Sequence, residues 1–455
     1  MPTIVGCDNV LMHFDTFSHG ESNSVFFLTH IHGDHLTGLH TGWAKGPLYC
    51  TATSARFLKK TFAIRSMRLN VLDYGQFAKV KHPVTGEICN SFIVCAIDAT
   101  HCPGSAMFYL NRTPTLGSVL YTGDYRPTLK LEDDLADLNF PIDTLFVDGS
   151  CVLDYCKTLP TIDDTIMTID QIAQDHQHLK HAAIISKGVG DEEVLEKSLA
   201  SFPEYGIKVL SHKRLQLMEI CECPIAAMAQ RRDEFERKLF IVNSKADVPK
   251  RYVPDGVLFI TPSLLWWLRR FDDITEEVNV DVEHFNQEGN HFRVVCSKHA
   301  SLEEVAWLIK HIGASRAFPI CPALHRGKPF SEVLSPMFPR LQFVKPPIQK
   351  QKNADDEKAL AIVRKAIQDI ETEEKNKREE NDEWLQILRL GDAEITTNAC
   401  SLESSSSGWL ANPGATGTMQ DPVEFSRYNF RPHTDSSDEE FTSDLVGFKI
   451  KKPRH

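Results

Sequence analysis

The stretch His30-Ile31-His32-Gly33-Asp34-His35 decides how the rest of the chain is interpreted. It follows residues 25–28 (VFFL), an apolar run that predicts a buried strand ending in a loop. A helix would spread these side chains around its circumference, whereas a loop at a strand end can bring them together. Three histidines and an aspartate beside a glycine that permits a tight bend therefore predict a site for divalent metal ions.

Two later stretches offer ligands of the same kind after apolar strands. His101 lies in residues 98–105 (DATHCPGS), and Asp124 lies in residues 120–126 (LYTGDYR). Together the three strand ends supply histidines and aspartates in numbers that suit two metal ions sharing one carboxylate. A polar turn that is rich in histidine by chance is the alternative, and the repeated placement at strand ends disfavours it.

In this order the three stretches resemble the metallo-β-lactamase fold. The words HCPGS and LYTGDYR resemble the branch of Pso2-like DNA nucleases, which contains Artemis and Apollo and carries an inserted β-CASP domain. The resemblance covers roughly residues 1–345. It implies an α/β fold: an αββα sandwich with the β-CASP insertion, followed by a largely disordered C-terminal tail. The implied activity is metal-dependent hydrolysis of DNA phosphodiesters in repair, by a 5′-to-3′ exonuclease, a hairpin or overhang endonuclease, or both.

The resemblance also implies roles for individual residues. Zinc is the implied ion, with one or two positions occupied, and magnesium or manganese are alternatives for activity. The first ion would be held by His30, His32 and His101, and the second by Asp34, His35 and His299. The remaining implied roles are a bridge between the ions for Asp124, orientation of His299 for Asp148, support from behind for Asp15, and catalysis for Asp34, Asp124, His299 and Asp148.

Substrate contacts are less clearly marked. Ser105, Lys187 and His325 are candidates for contacting DNA phosphates. The loop at residues 190–192 reads Gly-Asp-Glu where many relatives have Gly-Lys-Glu, which predicts weak dependence on a 5′-phosphate and favours the Artemis side of the family. Cys321 stands where RNA-processing relatives carry histidine and DNA-processing ones carry valine, so we expect DNA to be preferred over RNA.

Composition and patterning bound the organisation of the chain. Of its 455 residues 42 % are hydrophobic and 25 % charged, and no apolar run is long enough to span a membrane. Its 12 cysteines are scattered, as in proteins whose thiols stay reduced. The expected segments are a metallo-β-lactamase domain at 1–157 and 291–345, a β-CASP domain at 158–290, a charged helix at 346–390 and a disordered acidic, serine-rich tail at 391–455.

The net charge of −12 opposes a nucleic-acid partner in bulk, but a metal cluster supplies positive charge where a phosphate must bind. The expected partners are DNA ends, single strands, hairpins or overhangs, with a repair protein at the tail, and the expected location is the nucleus. Two alternatives stay open: an RNA-processing β-CASP nuclease, and a non-enzymatic scaffold that binds DNA ends. A thioester or lactam hydrolase is a remote third, because the inserted domain suits a polymeric substrate.

Overall fold

A computed structural model describes residues 3–5, 10–86, 88–137, 140–186, 190–229, 235–270, 284–286, 289–321, 323 and 327–343. Two of the predicted phosphate contacts, Lys187 and His325, lie outside these residues. So do the predicted charged helix at 346–390 and the predicted tail at 391–455.

The first sheet forms early in the chain from short, largely buried strands. Its members are β1 (Thr3–Val5), β2 (Leu11–Phe14), β3 (Ser24–Phe27), β4 (Leu48–Cys50) and β5 (Leu69–Val71). They lie in sequence order, with β1 antiparallel to β2 and each later neighbour parallel. The carboxyl ends of β2, β3, β4 and β5 therefore share one edge.

The second sheet combines a meander with parallel strands that come later in the chain. Its members are β6 (Phe77–Lys81), β7 (Ile88–Asp98), β8 (Ala106–Thr113), β9 (Gly117–Tyr121), β10 (Thr144–Val147), β17 (Arg316–Pro319) and β18 (Gln342–Phe343). The order is β18-β17-β10-β9-β8-β7-β6, antiparallel from β6 to β9 and parallel from β9 to β18. Strands β7, β9, β10 and β17 consequently run in the same direction.

These two sheets pack face to face through aromatic side chains. The rings of Phe14 and Tyr121 stack with centroids 4.3 Å apart, and those of Phe27 and Phe108 meet edge to face at 5.2 Å. Helix α1 (Ala52–Phe62) covers the outer face of the first sheet, while α2 (Leu129–Asp137), α8 (Leu302–Ile312) and α9 (Phe330–Leu334) cover that of the second. The predicted αββα sandwich is confirmed.

A third sheet lies in the region expected to be inserted. Its members are β11 (His181–Ile185), β12 (Tyr205–Val209), β13 (Arg237–Val242), β14 (Val257–Pro262), β15 (His284–Asn286) and β16 (His291–Val294). The order is β12-β13-β11-β14-β16-β15, parallel except for β15. The accompanying helices are α3 (Ile162–Asp175), α4 (Glu192–Ser198), α5 (His212–Ile220), α6 (Pro224–Ala229) and α7 (Leu265–Arg270).

One strand lies in a different sheet from the one expected. The sequence analysis assigned residues 291–345 to the metallo-β-lactamase domain, but β16 pairs with β14 in the third sheet. An apolar strand pattern shows that a strand is buried without showing which sheet it joins, so the assignment was wrong for β16, whereas β17 and β18 lie in the second sheet. The other domain limits stay predictions. Among the described residues, no helix is both long and apolar enough to cross a membrane.

Candidate metal centre

The candidate ligands follow the carboxyl ends of strands that run in a common direction within each sheet. In the first sheet, Asp15 comes directly after β2 and His30 comes shortly after β3. In the second, His101 follows β7, Asp124 follows β9 and Asp148 comes directly after β10. Strands of common direction end at the same edge of a sheet, so these side chains meet although they are far apart in the chain.

Four ligand atoms converge at this edge, each from a buried or half-buried side chain. His32 Nδ1 lies 3.0 Å from His30 Nε2 and 3.1 Å from His101 Nε2. Asp124 Oδ2 lies 3.6 Å from His30 Nε2 and 3.7 Å from His101 Nε2. A tetrahedral zinc ion with bonds of about 2.0–2.1 Å has ligand atoms roughly 3.3–3.4 Å apart. The donor set therefore fits one zinc ion in both chemistry and spacing.

Hydrogen bonds behind the cluster determine which nitrogens face its centre. The Thr29 hydroxyl donates to Asp15 Oδ2 at 2.8 Å and lies 2.9 Å from His30 Nδ1, from which it can accept. His101 Nδ1 donates to the backbone oxygen of Lys298 at 2.9 Å. With protons on both Nδ1 atoms, the lone pairs of the Nε2 atoms point into the cluster. The sequence analysis missed Thr29, whose only signal was a hydroxyl residue just before His30.

Burial favours the uncharged form of these histidines. It lowers the pKa of His30 well below the usual value, and the neighbouring imidazoles of His35 and His32 lower it further. Burial, together with His32, also lowers the pKa of His101 well below the usual value. Neutral imidazole is the form that binds a metal ion, so both side chains are prepared for that role.

The predicted ligands of a second ion lie on the other side of Asp124. His35 Nε2 is 3.4 Å from Asp124 Oδ2 and 3.5 Å from Asp34 Oδ2. The side chain of Asp34 is 78 % exposed, so it faces solvent. Although burial opposes the charged form, Asp124 and Asp15 raise the pKa of His35 well above its usual value. The carboxylates of Asp124 and Asp15 therefore stabilise positive charge on this side of the cluster.

His299 lies next to this group and is oriented by Asp148. Its Nδ1 nitrogen is 2.8 Å from Asp148 Oδ2 and 4.0 Å from Asp124 Oδ2. Burial opposes protonation, but Asp148 raises the pKa of His299 to about 9. Asp148 Oδ1 in turn accepts from the Ser150 backbone at 2.8 Å and from the Cys321 thiol at 3.3 Å. Asp148 therefore has the hydrogen bond to His299 that an orienting residue requires.

A glycine allows the turn that carries Asp124 to approach the first sheet closely. Gly123 has φ +57°, and a Cβ atom at this position would lie 2.8 Å from the Cβ of Thr29. Only glycine adopts this conformation readily and leaves room for Thr29. The tight contact brings Asp124 against the His30 loop.

The predicted phosphate contact at Ser105 is wrong. The side chain is completely buried, and its hydroxyl oxygen accepts hydrogen bonds from the backbone N–H groups of His101 at 3.1 Å and Cys102 at 3.3 Å. These bonds shape the loop that presents His101. A buried hydroxyl with this role cannot reach a substrate phosphate, and exposure is a property that the sequence motif does not report.

Three relatives illustrate what the chain resembles. The 5′ exonuclease Apollo of Gallus gallus is 31 % identical over 204 residues, covering 44 % of this chain and 40 % of the relative. The DNA cross-link repair protein SNM1 of Arabidopsis thaliana is 27 % identical over 206 residues, covering 44 % and 39 %. The DNA cross-link repair 1A protein of Gallus gallus is 31 % identical over 191 residues, covering 40 % and 18 %. No family model matches the chain.

The aligned part of the chain spans two fifths or less of the length of each of these relatives. Within the sandwich, the chain presents four convergent metal-ligand atoms at the strand ends where the motifs predicted them. In its aligned part the chain is thus similar to proteins named Apollo, SNM1 and DNA cross-link repair 1A, and its αββα architecture fits the metallo-β-lactamase fold.

Proposed function

We propose that this protein is a metal-dependent DNA nuclease that hydrolyses phosphodiester bonds during DNA repair. The single observation that carries the proposal is the convergence of His30, His32, His101 and Asp124, whose ligand atoms are spaced as around one zinc ion. The relatives support it, since their names describe a 5′ exonuclease and DNA cross-link repair proteins. We propose the same class of substrate, DNA, and the same type of activity for this chain.

We assign a second position to Asp34, His35 and His299, with Asp124 shared between the two. Zinc fits the nitrogen and oxygen donors best, and magnesium or manganese at the second position is compatible with the exposed carboxylate of Asp34. Metal ions bound here supply Lewis-acid polarisation of a phosphodiester and lower the pKa of a bound water molecule.

The protein residues orient the ligands and handle protons. Asp15 and Thr29 set the orientation of His35 and His30, so that little reorganisation is needed when a phosphodiester binds. Asp34 is the exposed carboxylate of the cluster and can accept the proton of the attacking water. Asp148 holds His299 beside Asp124, at the proposed second position.

The relatives' names favour repair of DNA crosslinks, and repair of double-strand-break ends and a location in the nucleus belong to the same proposal. A repair-protein partner for residues 391–455 belongs to the same proposal. That the chain resembles Artemis more than Apollo stays a prediction, because it depends only on the lysine missing from the Gly190 loop. The relatives named above are Apollo, SNM1 and cross-link repair 1A proteins. An RNA-processing nuclease is the second candidate, and Cys321 at the position of the RNA-type histidine is the observation against it.

One panel of substrates tests the proposal. The full chain, purified without chelators and with its metal content measured, is given a 5′-phosphorylated strand, a 5′-hydroxyl strand and a hairpin, each as DNA and as RNA. We expect cleavage of DNA that stops on addition of a chelator and returns with zinc. Full metal occupancy without cleavage of any DNA would refute the proposal and would favour a non-enzymatic scaffold that binds DNA ends.

A further inference from the structure

An ion pair lies against the metal-ligand cluster, at the contact between the sandwich and the third sheet. Lys298 Nζ contacts Asp191 Oδ1, and the two side chains are only 16 % and 24 % exposed. Lys298 directly precedes His299, and its backbone oxygen accepts the Nδ1 proton of His101 at 2.9 Å. The ammonium is therefore carried by a segment whose position is tied to two of the candidate ligands.

Gly190 brings the ammonium close to a third candidate ligand. It has φ +95°, and a Cβ atom there would lie 3.1 Å from His32 Nε2 and 3.3 Å from Lys298 Nζ. The imidazole of His32 and the ammonium of Lys298 thus both lie beside Gly190. Any larger residue at this position would push the loop away from the cluster, because the required backbone conformation also disfavours a side chain.

Asp191 is held so that it cannot turn toward a substrate. Its Oδ2 oxygen accepts from the Ser186 hydroxyl, and Ser186 is itself fixed by Arg214, which donates to the hydroxyl at 2.7 Å and to the backbone oxygen at 2.9 Å. Arg214 is 1 % exposed. Although burial opposes ionisation, Lys298 and Arg214 lower the pKa of Asp191. The prediction of weak dependence on a 5′-phosphate treated this loop as lacking a cation, whereas the ion pair places the ammonium of Lys298 beside it.

We propose that Lys298 is a specificity-determining residue that contacts a substrate phosphate next to the scissile bond, and that Asp191 positions its ammonium. This inference rests on the proposed function. The phosphate is either a 5′-terminal phosphomonoester or the neighbouring phosphodiester, since both present the same oxygens. An ammonium has three N–H donors, so it can bind the carboxylate and a phosphate oxygen together. Partial burial strengthens such a contact because fewer water molecules compete for it.

The test compares wild-type protein with Lys298→Gln and Asp191→Asn. The first variant removes the cation at nearly constant length, and the second removes its partner while keeping the shape. Lys197→Gln is the matched control, because Lys197 is also paired with carboxylates, Asp163 and Glu193, but lies on the exposed surface of α4. For each protein, kcat/KM is measured on a 5′-phosphorylated strand, a 5′-hydroxyl strand and a circular single strand. Binding of uncleaved strands is titrated against salt under chelation.

We expect Lys298→Gln to lower kcat/KM at least about tenfold and to reduce the slope of log affinity against log salt by about 0.7, the value for one phosphate contact with a single strand. Lys197→Gln should keep both quantities near the wild-type values. Asp191→Asn should keep the salt slope, because the cation remains, and should lower kcat/KM by less than Lys298→Gln does, because the ammonium loses only its positioning partner. Loss confined to the 5′-phosphorylated strand identifies the terminal phosphate, and equal loss on all three substrates with a reduced salt slope identifies the neighbouring phosphodiester.

The inference is overturned if Lys298→Gln leaves the salt slope and kcat/KM unchanged. It is also overturned if the two variants lower kcat/KM equally and neither changes the salt slope, since the ion pair would then only hold the loop in place. Failure of the proposed function looks different, because wild-type protein with full metal occupancy would then cleave none of the three DNA substrates while the salt titration of binding could still be read.

Discussion

His35 Nδ1 lies 2.9 Å from Asp15 Oδ2, so a carboxylate buried behind the site determines which nitrogen of His35 faces Asp124. The same carboxylate accepts from the Thr29 hydroxyl, which contacts His30. One aspartate from the end of β2 therefore supports a candidate ligand of each ion. Substitutions of Asp15 or Thr29 therefore test the candidate metal centre without removing any of its ligands.

Thr29→Val should weaken zinc binding by about 10- to 100-fold, the range typical for loss of a hydrogen bond behind a ligand. Valine keeps the shape of the side chain but cannot accept the proton of His30 Nδ1, so that ring loses its fixed orientation. Thr29→Ser retains the hydroxyl and should bind zinc nearly as wild type does. Competition with a chromophoric chelator measures both affinities. Equal weakening in the two variants would contradict a role for the Thr29 hydroxyl in orienting His30.

Asp34→Ala should abolish DNA cleavage and leave the melting temperature of the metal-free protein almost unchanged. The side chain is 78 % exposed, so its removal costs little packing, whereas its place in the ligand cluster has no evident structural purpose. Asp73→Ala removes another exposed carboxylate and should keep full activity. Normal cleavage by Asp34→Ala at normal metal content would show that this aspartate is dispensable.

DNA should be cleaved at least about tenfold faster than RNA of the same sequence, since discrimination of that size needs only one contact of roughly 1.4 kcal/mol. Cys321 lies against Asp148 and donates its thiol proton there, so the position of the RNA-type histidine supplies no donor toward a 2′-hydroxyl. Cys321→Ser should keep the preference for DNA. Equal or faster cleavage of RNA at the same metal and salt concentrations would reverse the assignment.

His13 should make the folded state sensitive to mild acid. Its ring is 7 % exposed, lies 2.9 Å from the Ser24 hydroxyl and stacks on Phe26, and burial followed by repulsion from His19 lowers its pKa. Below the unfolded-state pKa of about 6.5 the unfolded chain binds more protons than the folded chain, so the free energy of unfolding decreases as the pH falls.

The corresponding measurement compares melting temperatures at pH 7.5 and pH 5.5 in the metal-free protein. His13→Gln should lose less stability between the two pH values than wild type does, because glutamine has no proton to gain. His40→Gln changes an exposed histidine and should behave as wild type. An identical loss in His13→Gln and wild type would show that His13 does not titrate in this range.

Residue patterns alone identify candidate metal ligands. Apolar runs that end in histidine or aspartate predict candidate ligands at strand ends, and these residues are His30, His101 and Asp124. Which strands lie side by side, and that the two sheets bring these ends together, is seen only in the structure. The motif words also carried the resemblance to the Pso2-like nucleases, which implied the αββα sandwich that the structure confirms. The C-terminal segments from 346 onward could be described only by their composition.

The sequence by itself thus determined which residue types are available at the strand ends and which family the chain resembles. Only the tertiary structure decided that Ser105 is buried, that β16 joins the third sheet, and that Asp191 is paired with Lys298 across 107 positions of the chain. Local patterns report periodicity and conformational preference, whereas burial, strand pairing and ion pairing depend on how distant segments are placed against each other. That placement is set by packing of the whole core, which no single stretch encodes.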